Sequence, residues 1–267
     1  MKVLITGANG QLGRSIKKHA PAFPTLEFVF TDVGDLDITN MTELEKYFAS
    51  GNFDYVINCA GYTAVDKAEQ DKEKAFLINT KAVEYLADIS AKHNAGLIHI
   101  STDFVFDGKK SRPYTEADET GPLSVYSTTK AEAEKMLDRK PGRTMIVRTS
   151  WLYSEFGHNF VKTILKHARE KDELRVVFDQ TGTPTYGGDL AEALLLLISK
   201  DLIPDNKCIY HYSNQGIASW YDFAKAIIDI AGIRCRILPV STEEYPLPAR
   251  RPFYSVMSKA RFIEDFG

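Results

Sequence analysis

Three observations on the sequence predict an α/β fold: a doubly wound parallel sheet followed by a smaller lobe. Short apolar runs begin near residues 2, 26, 54, 96 and 144, each separated from the next by a stretch of helical periodicity. The first run gives way at once to a glycine-rich turn, Gly7-Ala8-Asn9-Gly10-Gln11-Leu12-Gly13. After Trp151 the regular alternation loosens into shorter elements. The chain therefore divides into a sheet domain, 1–150, and a smaller C-terminal lobe, 151–267, interleaved with the sheet edge.

The strand Lys2 to Thr6, the glycine turn and a helix around Arg14 to Ala20 form the context in which such a turn gains meaning. The glycines permit a tight turn and close backbone approach to a diphosphate, and the helix N-terminus supplies free N–H groups and a positive dipole end. A turn that only joins strand to helix has the same spacing. A second strand, Leu26 to Thr31, ends at Asp32, an acid placed to accept hydrogen bonds from an adenosine ribose and favour NADH. Arg14 is placed to face a 2′-phosphate and favour NADPH, so the two signals oppose each other. Asp37 and Ile38 form a further cofactor-edge position; Asp32 also fits a plain turn former.

Met41 to Ser50 reads as a helix, and Asp54 to Gly61 as a strand ending in small residues against which a ligand can lie. One long helix is expected over Glu73 to His93, with Asn79 inside its apolar face. The strand Gly96 to Ile100 opens on Ser101-Thr102-Asp103, whose hydroxyls can hold a substrate oxygen or cap the following turn. His99, within that strand, reads as a packed core residue.

Tyr126 and Lys130 stand one turn apart on the next helix, before the strand Thr144 to Thr149. A free tyrosine titrates near pH ~10, and a fixed ammonium beside it favours the phenolate; bringing it to about 7 takes roughly 4 kcal/mol. Taken alone, the pair fits surface chemistry equally well. Its place in the fold brings it to the sheet edge where Ser101 and Thr102 emerge.

In the smaller lobe, helices are expected over Asn159 to Glu170, Asp189 to Ser199 and Trp220 to Ala231. Strands are expected over Leu174 to Phe178, Ile209 to Ser213 and Cys235 to Val240. Arg250 and Arg251 suit an anionic substrate group, or a solvated basic turn.

The balance of the chain excludes several classes of function. A formal net charge of -3 argues against a nucleic-acid or membrane-surface binder. Cys59, Cys208 and Cys235 form no CxxC pair, which excludes a disulfide framework or zinc ribbon and suits a reducing cytosol. No window approaches the ~20 apolar residues of a membrane span, and the apolar run after Met1 is too short for a secretory signal. A soluble, cytoplasmic protein is the expectation. The six histidines lack metal-ligand spacing.

The joint order of glycine turn, Ser-Thr-Asp strand end and Y-x-x-x-K resembles the extended short-chain dehydrogenase/reductase superfamily. Within it, the chain is similar to the dTDP-4-dehydrorhamnose reductase family. That closer likeness rests on Gly10-Gln11-Leu12-Gly13, on the run from Asn58 to Glu69, on Ser101-Thr102-Asp103-Phe104-Val105-Phe106, and on Pro122 to Tyr126 with Lys130. It continues through Arg148-Thr149-Ser150-Trp151, Asn159-Phe160, Asp179-Gln180 with Pro184-Thr185, and Pro248-Ala249-Arg250-Arg251-Pro252.

The resemblance implies a Rossmann-type fold that binds NADPH or NADH and reduces the C4 ketone of a dTDP-linked 4-keto-6-deoxysugar. It implies Gly7, Gly10, Gln11 and Leu12 at the diphosphate, Asp32, Asp37 and Ile38 toward the adenosine, and Gly61, Tyr62 and Thr63 on the nicotinamide side. Thr102, Tyr126 and Lys130 would be catalytic, with Tyr126 and Lys130 also touching the cofactor; Thr102, Asp103, Trp151 and Arg250 would meet the sugar. Some members join two chains through a magnesium held by glutamates. Ser15 stands at one matching position here, and the Gly187-Gly188-Asp189 region lacks the other glutamate, so a homodimer is expected to have no metal bridge. Two alternatives share the ancestry: a non-catalytic, nucleotide-binding regulatory subunit resembling the β subunit of methionine adenosyltransferase, and a nucleotide-sugar epimerase or dehydratase.

Overall fold

Alternation of apolar side chains along the first strand sets the two sides of the core. A computed structural model describes residues 1–267. In β1 (Lys2–Thr6), Val3 and Ile5 meet Leu12 and Ile16 of α1 (Gln11–His19), while Leu4 points to the opposite face with Leu44, Phe48 and Leu86. The same alternation recurs in β3 (Tyr55–Asn58), β4 (Gly96–Thr102) and β5 (Thr144–Thr149). Strands buried on both faces read as near-continuous apolar runs, which is why these are the legible ones.

The sheet has six parallel strands in the order Cys208–His211, β5, β4, β3, β1 and β2 (Glu27–Phe30). The chain runs from β1 outward to β2 and then returns to the other side of β1 as β3. The winding therefore reverses between β1 and β3, and ligands bind at such a switch point beyond the carboxyl ends of the strands. Register places Thr6 beside Asn58 and Asn58 beside His99; further along, Ser101 lies beside Arg148 and Arg148 beside His211.

The single helix expected over 73–93 is divided. A helix at Lys72–Phe76 passes through a π-helical turn, Leu77–Lys81, into a helix at Ala82–Lys92. The wider turn carries Asn79 and Thr80 onto the helix Val125–Arg139, where the Asn79 amide donates to Thr129 Oγ1 at 3.1 Å and the Thr80 hydroxyl to the Thr129 carbonyl at 2.8 Å. Such turns cluster at functional sites.

Past residue 150 the chain builds a separate small core before rejoining the sheet. Helices Phe160–Glu170 and Trp220–Ala231 pack Ile164, Ala168, Ala224 and Ile228 against the paired strands Glu173–Val177 and Arg236–Val240. Between them, the helix Gly187–Ser199 packs against α1, and Cys208–His211 adds the outermost strand beside β5. No helix is long and apolar enough to cross a membrane.

Candidate active site

The switch point is built from backbone approaching backbone. Gly7 has a φ of +63°, and a Cβ there would lie 2.6 Å from the Ala60 Cα, so both conformation and space demand glycine. Gly10 caps α1 without a side-chain hydrogen bond, leaving the first-turn N–H groups of Gln11 and Leu12 for an anion. A cleft of about 500 Å³ opens here, lined by Gly7, Gly10, Asp32, Asp37, Ile38 and Gly61, six of the residues expected from the sequence. These features fit a dinucleotide. Asp32 accepts the N–H groups of Asn9 and Val33, each at 2.9 Å, and Asp37 accepts the N–H and O–H of Thr39. Arg14 is exposed and does not line the cleft.

Three expected cofactor residues are placed less directly. The Gln11 side chain is turned away: its Oε1 accepts from Asn159 Nδ2 at 2.9 Å, tying the glycine turn to the smaller lobe and leaving the backbone N–H for a ligand. Tyr62 donates its N–H to Asn79 Oδ1 at 2.8 Å and its phenol to Asp71 at 2.7 Å, so the π-helical turn pins this loop. Thr63 is exposed, and neither residue lines the cleft.

The Tyr126 helix begins with a reciprocal cap in which Ser124 accepts the Ser127 N–H and Ser127 accepts the Ser124 N–H. This fixes Tyr126 in the first turn, its ring edge-on to Phe104 at 6.3 Å. Burial pushes the Tyr126 phenol up to about 12; the adjacent Thr102 hydroxyl acts against this, and the Asp103 carboxylate adds to it. Ser101 is not available beside Thr102, because its hydroxyl donates to Glu134 at 2.5 Å within the protein.

Lys130 departs from expectation. Its Nζ donates to the Ile100 carbonyl at 2.6 Å and lies 3.2 Å from His99 Nε2. The ammonium beside Tyr126 that would draw the phenol downward is thus absent from this arrangement, since the lysine is folded back against β4. Burial pulls Lys130 down to about 8, opposed by Glu134.

Two expected sugar contacts are also changed. Asp103 is only 2% exposed, with its carboxylate accepting the Ser255 hydroxyl at 2.5 Å and the Thr102 hydroxyl at 3.2 Å. Burial pushes it up to about 7, against the pull of those two hydrogen bonds. Arg250 is exposed, whereas Arg251 turns inward and clasps both oxygens of Asp66 at 3.0 and 2.7 Å. One residue along an irregular segment reverses the direction of a side chain, which charge alone does not reveal.

Trp151 adopts a φ of +45° and lies flat on Trp220. Trp220 lines a second cleft of about 860 Å³, together with Asp66, Asn159, Phe160, Gln180 and Arg251. Trp220 was not singled out as a site residue. Trp220 carries no motif of its own, and only the stack on Trp151 brings it to the site.

A dinucleotide cradle at the switch point, with a hydroxyl, a tyrosine and a lysine along the same sheet edge, defines a nicotinamide-dependent oxidoreductase of the short-chain dehydrogenase/reductase type. The family model described as RmlD substrate binding domain matches residues 1–267. A dTDP-4-dehydrorhamnose reductase of Aggregatibacter actinomycetemcomitans is 40% identical, over 100% of this chain and 93% of that protein. The crystal structure of such a reductase from Clostridium acetobutylicum superposes with a TM-score of 0.95 at 44% identity, covering 100% of this chain and 93% of that one. One from Bacillus anthracis, in complex with NADP, gives 0.92 at 36% identity, covering 99% and 92%. The chain belongs to the dTDP-4-dehydrorhamnose reductase family.

Proposed function

We propose that this chain reduces the C4 ketone of dTDP-4-dehydro-L-rhamnose to give dTDP-L-rhamnose, the last step in forming that sugar nucleotide. The observation that carries this reading is the meeting of the Thr102 hydroxyl with the Tyr126 phenol at the carboxyl end of β4. NADPH or NADH, when bound, supplies the hydride. The backbone N–H groups of Gln11 and Leu12 hold the diphosphate, and Asp32 faces the adenosine ribose. Thr102 donates a hydrogen bond to the C4 oxygen as charge gathers there, and Tyr126 gives it the phenolic proton. The raised proton affinity of Tyr126 keeps that proton in place at neutral pH until it is needed. Lys130, once turned from β4 toward the cofactor ribose, stabilises the phenolate left behind.

The indole of Trp151, braced by Trp220, offers a flat apolar wall to the deoxysugar ring. Asp103 holds the Thr102 hydroxyl until the C4 oxygen takes over its single proton. A homodimer would have no metal bridge at Ser15, which is buried, donates its hydroxyl to the Gln11 carbonyl at 2.9 Å and offers no carboxylate. A cytoplasmic location accords with the absence of a membrane-spanning helix.

The test is loss of nicotinamide absorbance when the protein meets NADPH and the 4-keto sugar nucleotide. Stoichiometric oxidation with formation of the rhamnosyl nucleotide supports the reading. Sugar conversion without cofactor consumption would indicate an epimerase, and NADPH binding with no turnover a regulatory subunit.

A further inference from the structure

Lys130 sits at the end of a hydrogen-bonded chain that crosses three strands, and each link of that chain has a fixed sense. Asn58 Oδ1 receives the Thr6 hydroxyl at 2.7 Å and the Ala60 N–H at 3.1 Å. A backbone N–H only donates, so that amide atom is the oxygen and the other, Nδ2, is a donor. Nδ2 lies 3.2 Å from His99 Nδ1, which must offer a lone pair. His99 is fully buried, and burial holds its proton affinity well below the usual value, so the ring is neutral. A neutral imidazole with a bare Nδ1 carries its single proton on Nε2.

That proton points at Lys130 Nζ, 3.2 Å away. An ammonium has three N–H groups and no lone pair, so it cannot receive a hydrogen bond; an amine can. With one N–H given to the Ile100 carbonyl, the His99 Nε2–H finds an acceptor only if Lys130 is the free amine. An ammonium would set two donors face to face inside the protein, and such an arrangement is costly.

We propose that His99, oriented by Asn58 and Thr6, is a positioning residue that parks Lys130 against β4 as a neutral amine, and that Lys130 takes up a proton when it leaves that berth for the cofactor. The proton comes from solvent and forms one N–H bond on the released amine; only hydrogen bonds are broken. Protonation and position are thereby coupled: above about pH 8, docked is neutral and released is charged.

The other groups facing Lys130 do not replace this control. On its own helix, Glu134 one turn on is engaged by Arg148 and Ser101, and Tyr126 one turn back is a protonated phenol. Asp103, after β4, is held by Ser255 and Thr102. The π-helical turn presents the neutral Asn79 and Thr80, both bonded to Thr129.

The direction of release rests on the reductase reading; the parked state does not. Nitrogen-15 NMR of the protein without cofactor reads the His99 tautomer directly, and the proton is expected on Nε2. Calorimetry of NADPH binding in buffers of different ionisation enthalpy, at about pH 8.5, is expected to show proton uptake approaching one per site. Asn58→Asp changes the facing donor into an acceptor, so the His99 proton moves to Nδ1, Nε2 accepts from a charged Lys130, and uptake falls at least threefold. If that variant does not fold, His99→Gln, whose carbonyl also accepts from an ammonium, makes the same comparison. A wild-type His99 protonated on Nδ1, or uptake unchanged in a folded variant, overturns the proposal. Loss of sugar reduction with the Nε2 tautomer intact would overturn only the reductase reading.

Discussion

The indoles of Trp151 and Trp220 lie 3.5 Å apart between ring centroids, with planes 6° from parallel. Trp151 reaches this position with a φ of +45°, a conformation that costs a bulky residue about 1–2 kcal/mol. Gly182 leaves room for the ring: a Cβ there would lie 2.6 Å from the indole. Stack and glycine together hold a strained residue beside Trp220, which lines the larger cleft.

Removing the stacking partner should therefore harm sugar binding and spare the cofactor. In Trp220→Ala, loss of an aromatic pair worth roughly 0.5–1.5 kcal/mol raises the KM for the sugar nucleotide about three- to tenfold. Gly182→Ala displaces the ring and acts in the same direction. Steady-state kinetics beside an NADPH titration checks both; an unchanged sugar KM would remove Trp151 from the binding site.

Asp103 gives stability a distinctive pH dependence. Burial sets its folded value at about 7, well above the ~3.9 of an unfolded aspartate. Between these values the folded chain binds the proton more tightly, so this group's contribution falls as pH rises through the window and is level above it. Asp103→Asn abolishes the titration. Urea midpoints compared between wild type and Asp103→Asn from pH 4 to 8 should diverge progressively, with the variant relatively more stable toward the alkaline end. A constant difference would mean that Asp103 remains ionised throughout.

At the adenosine end, Asp32 lines the cleft and Arg14 does not. A carboxylate there hydrogen-bonds a free 2′-hydroxyl and repels a 2′-phosphate. Asp32→Ala is expected to shift the ratio of kcat/KM for NADPH over NADH about tenfold or more toward NADPH, the scale of a charge-assisted hydrogen bond. A ratio that stays put would leave Asp32 as the turn former its bonds to Asn9 and Val33 also make it.

What could be read in the sequence was whatever is local. The strand, glycine turn and helix at Lys2–His19 announce themselves by periodicity and by residues with one conformational use. The four-residue interval between Tyr126 and Lys130 is likewise a property of a helix. The partners of Lys130 are not local: His99 is the packed core residue expected, but its link to Asn58 exists only through the register of β3 on β4. Asp103 was read as a sugar ligand because its burial against Ser255 joins residues 152 positions apart. The π-helical turn at Leu77–Lys81 disguises itself as ordinary helix, since its reason is Thr129 on another element.

The most direct test of the account is Tyr126→Phe, which deletes one oxygen and keeps the ring against Phe104. NADPH oxidation with dTDP-4-dehydro-L-rhamnose should fall about 10²- to 10⁴-fold in kcat, the usual share of a positioned general acid, while the Kd for NADPH stays within about twofold. A variant that turns over at the wild-type rate would contradict the assignment of Tyr126 as the proton donor.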